Sequence, residues 1–503
     1  MSAYLMGIDC GGTAAKVALF DAEGRMLGSF GERIPMAAPR PGHAERDAQA
    51  MWTAAARAIR RLLERTGVPA SAIVGIGATG HGVGVYLVGA DGTPVRAAIN
   101  STDTRAAELV ATTVASGIQT QVRRKSLQDL WPGQPEMLLA WLRRLEPAAL
   151  KQAARLLFCK DFIRLRLTGR PSLEHTDLAT TNLYDVRAAR LDPELLALFG
   201  LEDLAGLFGE VMTSESLAGA VTAEAAAATG LVQGTPVVAG CIDVVASALG
   251  AGCVDPGAMA IIAGTWSINE QVTTAPVESD GLFMLGRFVG ADRFLAIEAS
   301  ACSAGNLEWF LDHVLGGEVD RGEVDRGALY ATCNALVAGV SPDDAPVLFL
   351  PYLNGSRDTG FARGTLVGLT GFHTKAHLLR AVYEGVAFEH RAHIERLLMH
   401  GPKPPAARLT GGAARSPVWA QMFADVCLLP VEVPECAETG ALGAAMCAAV
   451  GVGLHRDYAA AASAMVRVAA RHAPDPARAA IYDERYRRHR ALAAALAPFW
   501  AAA

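Results

Sequence analysis

The chain is 503 residues long, 51% hydrophobic and 19% charged, with a formal net charge of -6. That length can bury large cores and favours more than one domain, and the acidic balance offers no basic field to attract nucleic acid or an anionic lipid surface. Nine cysteines lie scattered without a Cys-x-x-Cys pair, which argues for reduced thiols in apolar settings over disulfides or zinc.

The first residues carry neither a basic n-region nor a long apolar h-region, so no signal peptide is expected. The longest uncharged apolar stretch, Ala441 to Leu454, is too short and too rich in Gly and Ala to span a bilayer, and reads as a buried helix. The expectation is a soluble, cytoplasmic protein with no nucleic-acid or membrane partner.

In chain order, Tyr4 to Ile8 reads as a strand, Asp9-Cys10-Gly11-Gly12-Thr13 as a tight polar turn, and Lys16 to Phe20 as a returning strand. This is a hairpin. A Walker loop or a dinucleotide fingerprint would need a helix directly after its glycines, and neither pattern is present. Asp47 to Thr66 is helical, Ile73 to Ala78 and Gly84 to Val88 read as strands, and helical patterns dominate from Leu138 to about Leu167. Glu194 to about Leu231 is loop and helix. Pro236 to Gly240 is a strand, with a helix opening at Val244. A second strand and glycine turn follow at Met259 to Ala263 and Gly264-Thr265-Trp266-Ser267, and a third at Ala407 to Thr410 and Gly411-Gly412-Ala413. The pattern predicts two α/β halves, 1–250 and 251–503, each opening with a strand and a Gly-Thr turn. The Ala/Arg-rich stretch from Asp457 reads as helical with a break at Pro474 and Pro476, either a solvated tail or a packed helix pair.

The first turn has two readings. It can be an ordinary hairpin turn with a solvated Lys16. It can also present backbone N–H groups and the Thr13 hydroxyl to an anion, with Asp9 holding a metal through water and Lys16 reaching a phosphate. Phosphoryl transfer needs its phosphate oxygens gripped from more than one side, and Gly264 and Thr265 would supply a second grip. Gly411, Gly412 and Ala413 would let an adenine or ribose lie against bare backbone. Asp243 stands between an apolar strand and an apolar helix. There it can cap the helix, or accept the proton of an attacking hydroxyl. His373 with His377 lacks any acidic companion for a zinc site, His390 and His393 read as helix surface, and Trp52, Trp309 and Trp419 as core or interface packing.

Gly364-Thr365-Leu366-Val367-Gly368-Leu369, His377-Leu378 and Ala381-Val382-Tyr383-Glu384 resemble the C-terminal signature of the FGGY carbohydrate kinases. Gly133-Gln134-Pro135 and Trp141-Leu142 fit the family's N-terminal signature, with Leu138 where most members have Lys. Trp131-Pro132-Gly133 and Gly264-Thr265-Trp266 look most like its L-xylulose kinases.

The resemblance implies a two-domain actin-like ATPase (ribonuclease H-like) fold with an interdomain active-site cleft. It implies ATP and Mg²⁺, with Asp9, Gly11, Gly12 and Thr13 at the first phosphate turn and Gly264 and Thr265 at the second. Gly411, Gly412 and Ala413 would form the adenosine site, Glu438 would lie in a segment behind the nucleotide, and Asp243 would be the base and, with Asp9, the metal carboxylate. The sugar falls to His81, Gly82, Asp103 and Trp131, where Arg105 serves to hold the loop. The reaction so implied is phosphorylation of a ketopentose, xylulose first, to its 5-phosphate. Erythritol, glycerol or ribulose kinases and a nucleotide-dependent sugar sensor are the alternatives. Several members are dimers, so the resemblance also leaves room for a homodimer.

Overall fold

The opening hairpin forms as the sequence predicts. Tyr4–Cys10 pairs antiparallel with Ala14–Asp21, and Asp9 stands opposite Lys16. Leu5, Met6, Ile8 and Cys10 are all buried, because this strand lies inside a six-stranded sheet with neighbours on both sides. The sheet runs Leu217–Ala220, Pro236–Val238, Ile73–Gly80, Tyr4–Cys10, Ala14–Asp21, Met26–Arg33. The computed structural model describes residues 3–278, 281–315, 326–344, 347–358 and 361–502. They divide into two compact units. The first comprises Met1–Pro256, Val272–Ala296 and Glu438–Val466, and the second Gly257–Gln271, Ile297–Ala437 and Arg467–Ala503.

Three strands of the first unit run parallel: Tyr4–Cys10, Ile73–Gly80 and Pro236–Val238. Their carboxyl ends therefore open onto one edge, the edge where open α/β sheets present their ligand sites. Each end leads into a segment singled out from sequence: the turn at Gly11, the loop at His81 and the approach to Asp243. The helix Thr439–Gly451 covers this sheet with almost no side-chain spacer. A Cβ added at Gly7 would overlap the Ala441 carbonyl, and one at Gly77 the Ala444 carbonyl. Gly443 likewise lies on the Ala246 carbonyl of helix Asp243–Gly250. The Gly/Ala-rich run predicted as a buried helix is therefore buried because it has no side chains to hold the backbones apart.

The second unit repeats the plan. Met259–Ala263 pairs antiparallel with Ser267–Thr273 and parallel with Ala407–Gly411. Two readings are corrected here. His390 and His393 are fully buried along helix Lys375–Leu398, since that helix is packed on most of its faces and has no wide solvent side at these positions. The stretch after Asp457 is not helical throughout. Val468–His472 forms an edge strand against Val431–Pro434, whose free backbone edge recruits it. The last helix, Pro476–Ala501, is packed rather than solvated, with Trp500 set among Cys302, Leu350, Tyr352 and Ala362.

Candidate active site

Asp9 is the next-to-last residue of the first unit's central strand, and its Oδ2 lies so close to Gly440 that a side chain there would collide with it. Burial pushes its carboxyl up to about 6, against the pull of Lys16. Lys16 itself is 49% exposed and pairs with Glu438 at 3.1 Å. The turn beyond Asp9 is shaped from beneath by a residue that sequence reasoning missed. Arg46, 1% exposed, donates to the carbonyls of Gly11 (3.1 Å) and Gly12. It has no carboxylate partner among the described residues. By taking those carbonyls it leaves the opposite, N–H side of the turn open, and a Cβ at Gly12 would have nothing within 4 Å. A turn with free N–H groups and a buried cation behind it suits an anion.

Asp243 is the first residue of helix Asp243–Gly250, and its carboxylate accepts the N–H of Val244 at 2.8 Å. The helix has Ile242 as its N-cap with no side-chain cap, so the capping role weighed from sequence is not the one Asp243 takes. Burial, reinforced by Asp9 and Asp177 and opposed by His81, pushes its carboxyl up to about 7. A carboxyl that titrates near neutrality is matched to general-base work.

His81 follows the strand Ile73–Gly80 and is 6% exposed. Its Nε2 meets the Tyr86 hydroxyl at 2.9 Å and accepts from Asn100 Nδ2 at 3.1 Å. Gly82 beside it is packed so tightly on Ile242 that any side chain would overlap it. Trp131 stacks on Phe283, centroids 5.4 Å apart, and its backbone N–H donates to Gln134 Oε1 at 2.8 Å. Its indole Nε1 is buried with no acceptor among the described residues. Asp103 stands differently. Both its oxygens are engaged, by Ala44 N–H (2.6 Å) and by the backbone and guanidinium of Arg105 (2.8–2.9 Å). The pair closes the loop, and in this conformation Asp103 has no oxygen turned to a sugar.

In the second unit the strands Met259–Ala263 and Ala407–Gly411 are neighbours in register, Ala263 opposite Gly411, so both glycine turns share one sheet edge. Thr265 is exposed, and Gly264 has nothing within 4 Å of where a Cβ would sit. Gly411 must be glycine, with φ at 84° and the Ala263 carbonyl oxygen 2.6 Å from a Cβ. Gly412 is exposed and unencumbered. Ala413 is fully buried and offers only backbone. Behind the first-unit site lies a buried charge cluster, Lys160, Asp161, Arg164, Glu174 and Asp177, that sequence reasoning also missed. Its signal was legible: Lys160 and Asp161 interrupt the apolar run Leu156 to Leu165, and charges there are buried only when paired.

Comparison with known proteins identifies the family. Residues 4–250 match the N-terminal domain of the FGGY family of carbohydrate kinases, and residues 259–452 its C-terminal domain. The chain is 38% identical over 494 residues to a probable L-xylulose kinase of Pasteurella multocida (strain Pm70), covering 98% of this chain and 99% of that one. It is 36% identical over 504 residues to the L-xylulose/3-keto-L-gulonate kinase of Escherichia coli (strain K12), covering 100% and 99%. Among solved structures, the xylulose kinase of Rhodospirillum rubrum superposes with a TM-score of 0.87 at 29% identity, covering 99% of each chain.

Proposed function

Because this chain belongs to the FGGY family of carbohydrate kinases, we propose that it transfers the γ-phosphate of ATP to a pentulose, taking a xylulose to its 5-phosphate. It is a phosphotransferase acting on a carbohydrate, with the two-domain actin-like ATPase fold. The observation that carries the proposal is Asp243, a carboxylate at the mouth of parallel strands, in the first turn of its helix rather than at the N-cap and titrating near neutrality. The names borne by its L-xylulose kinase relatives support the choice of sugar. In this reading the protein works on cellular ATP in the cytoplasm.

In the proposed mechanism Asp243 accepts the proton of the sugar's terminal hydroxyl as that oxygen attacks the γ-phosphorus in line and the β,γ-bridging P–O bond breaks, releasing ADP. The N–H groups of Gly12 and Thr13, set by Arg46 through the Gly11 and Gly12 carbonyls, receive phosphate oxygens together with that of Gly11, and so does the turn at Gly264 and Thr265. Asp9 and Asp243 suit Mg²⁺: two half-buried carboxylates, each raised, with Asp9's charge felt at Asp243. They would hold the ion through water, and it would neutralise charge on the phosphate oxygens. Trp131 gives an apolar wall for C–H faces, and its unpaired indole N–H can bond a sugar oxygen. His81 borders the same region.

Two outcomes test the assignments. Gly412→Val should fold normally, since a Cβ there meets only the Ala263 oxygen at 3.8 Å, yet weaken ATP binding about tenfold or more by filling the adenosine surface. Wild-type ATP affinity by calorimetry would remove Gly412 from that surface. On a panel of D-xylulose, L-xylulose, L-ribulose, glycerol and erythritol, kcat/KM should be highest for a xylulose. A site that bonds each hydroxyl strongly rejects a sugar lacking one. His81→Ala should raise the sugar KM and leave the ATP KM unchanged. A preference for glycerol or erythritol overturns the pentulose reading while the kinase activity stands.

A further inference from the structure

The buried charge cluster of the first unit has no part in the chemistry above, yet it ends on both segments that do. Lys160 is 0% exposed, with Nζ 2.7 Å from Asp177 Oδ2, 3.2 Å from Asp161 Oδ1 and 3.5 Å from Glu174 Oε2. From this cluster two hydrogen bonds lead outward. Asp177 Oδ1 accepts the N–H of Val83 at 3.1 Å. Glu174 Oε2 accepts the Thr176 hydroxyl at 2.7 Å, and that hydroxyl accepts the N–H of Ile242 at 3.1 Å. Val83 belongs to the loop of His81 and Gly82, and Ile242 directly precedes Asp243. The two segments also touch, since Gly82 has no room for a side chain against Ile242.

Such a cluster is costly to bury. Replacing buried ion pairs by apolar residues of like volume is often neutral or stabilising, so the five charges here, with Arg164 paired to Asp161 at 3.0 Å, need another justification than stability. Val83 supplies one. It is β-branched and buried, with φ at 49°, the left-handed region that a non-glycine residue, and a β-branched one above all, adopts only under strain. Backbone of that kind persists only where its surroundings over-determine it, and the Asp177 carboxylate does so at the Val83 N–H. The short segment Glu174–Asp177, pinned by Lys160, thus sets two backbone N–H groups at once.

We propose that Thr176 and Asp177 are positioning residues for the phosphotransfer. They hold the sugar-facing loop and the catalytic Asp243 in mutual register through the Lys160–Glu174–Asp177 cluster. The proposal rests on the reading of Asp243 as base and of His81 and Gly82 as sugar-facing. Thr176 acts on Asp243 through the Ile242 backbone, and Asp177 acts on the sugar loop through Val83. Neither touches a reacting atom.

The test is steady-state kinetics, with sugar and ATP varied separately, on the full-length enzyme alongside melting curves. Thr176→Val keeps the shape, removes the acceptor of the Ile242 N–H, and should lower kcat about tenfold to 10²-fold, the loss expected for a small misplacement of a catalytic group. The ATP KM should stay unchanged, and Thr176→Ser, which restores the hydroxyl, should recover most of the loss. Asp177→Ala should raise the sugar KM about tenfold with the ATP KM again unchanged. If the variants melt earlier but the folded enzyme keeps wild-type kcat and sugar KM, the cluster is only structural and the proposal is overturned. Should Asp177→Ala fail to fold, the Thr176 pair decides alone. Asp243→Asn run in parallel separates the two readings. Near-normal turnover there removes the base, while the sugar KM of Asp177→Ala still decides the loop.

Discussion

Asp243→Asn is expected to lower kcat by about 10²- to 10⁴-fold, the usual worth of a positioned base, and at the same time to raise the melting temperature at alkaline pH. The two effects share one cause. Burial and the charges of Asp9 and Asp177 push the Asp243 carboxyl from 3.8 up to about 7, so folding carries the cost of an ionised carboxylate where it is poorly solvated. Because the folded value lies above the unfolded one, stability is intact below pH about 4, falls as pH rises, and reaches its full penalty above pH about 7. An elevation of that size corresponds to at most about 4 kcal/mol. Asparagine has no charge to ionise and can still accept the Val244 N–H. The variant should therefore melt several degrees above wild type at pH 8, with the gap closing by pH 4. Turnover close to wild type would remove Asp243 as the base, and a lower melting point at pH 8 would show that its charge is stabilised in the fold.

Gly443→Ala is expected to abolish the folded first unit, giving insoluble protein or no cooperative melt at 37 °C. The added methyl would meet the carbonyl of Ala246, which is helix backbone and cannot swing aside like a side chain. Helices Asp243–Gly250 and Thr439–Gly451 touch there backbone to backbone, and the second of them also lies directly on Gly7 and Gly77 of the sheet. Forcing them apart strips several buried contacts at once, a loss of the exceptional class above about 4–5 kcal/mol. Gly264→Ala is the control, since nothing lies within 4 Å of a Cβ there and the fold should survive. A soluble Gly443→Ala with wild-type melting would mean that the helix pair tolerates separation.

Much of this protein was legible in its residues. Short apolar runs broken by glycine marked the strands Tyr4–Cys10, Met259–Ala263 and Ala407–Gly411, because a strand end and a tight turn are decided by neighbours in the chain. The same local logic led to Asp9, Gly264 and Gly411, each at the end of a strand, and to Asp243, a few residues beyond one. Local patterning failed where a distant partner decides the outcome. Val468–His472 looked helical and is a strand because Val431–Pro434 offers it an edge. His390 and His393 looked like surface and are buried because other segments cover that side of their helix. Asp103 looked available for a sugar and is engaged by Arg105 and the Ala44 N–H.

The sequence by itself determined most of the elements and the glycine turns, and it set Asp9 and Asp243 near the carboxyl ends of parallel strands, since these follow from turn chemistry and the steric freedom of glycine. Only the tertiary structure decided what stands behind them. It placed Arg46 under the first turn, Lys160 among three carboxylates, and the Gly443 backbone against Ala246. Residues 34 positions apart at the turn, and some 200 apart at the helix pair, met only after folding. Burial and pairing belong to those meetings, and so do the raised carboxyls of Asp9 and Asp243, because a pKa reports the charges and solvent that long-range packing brings near.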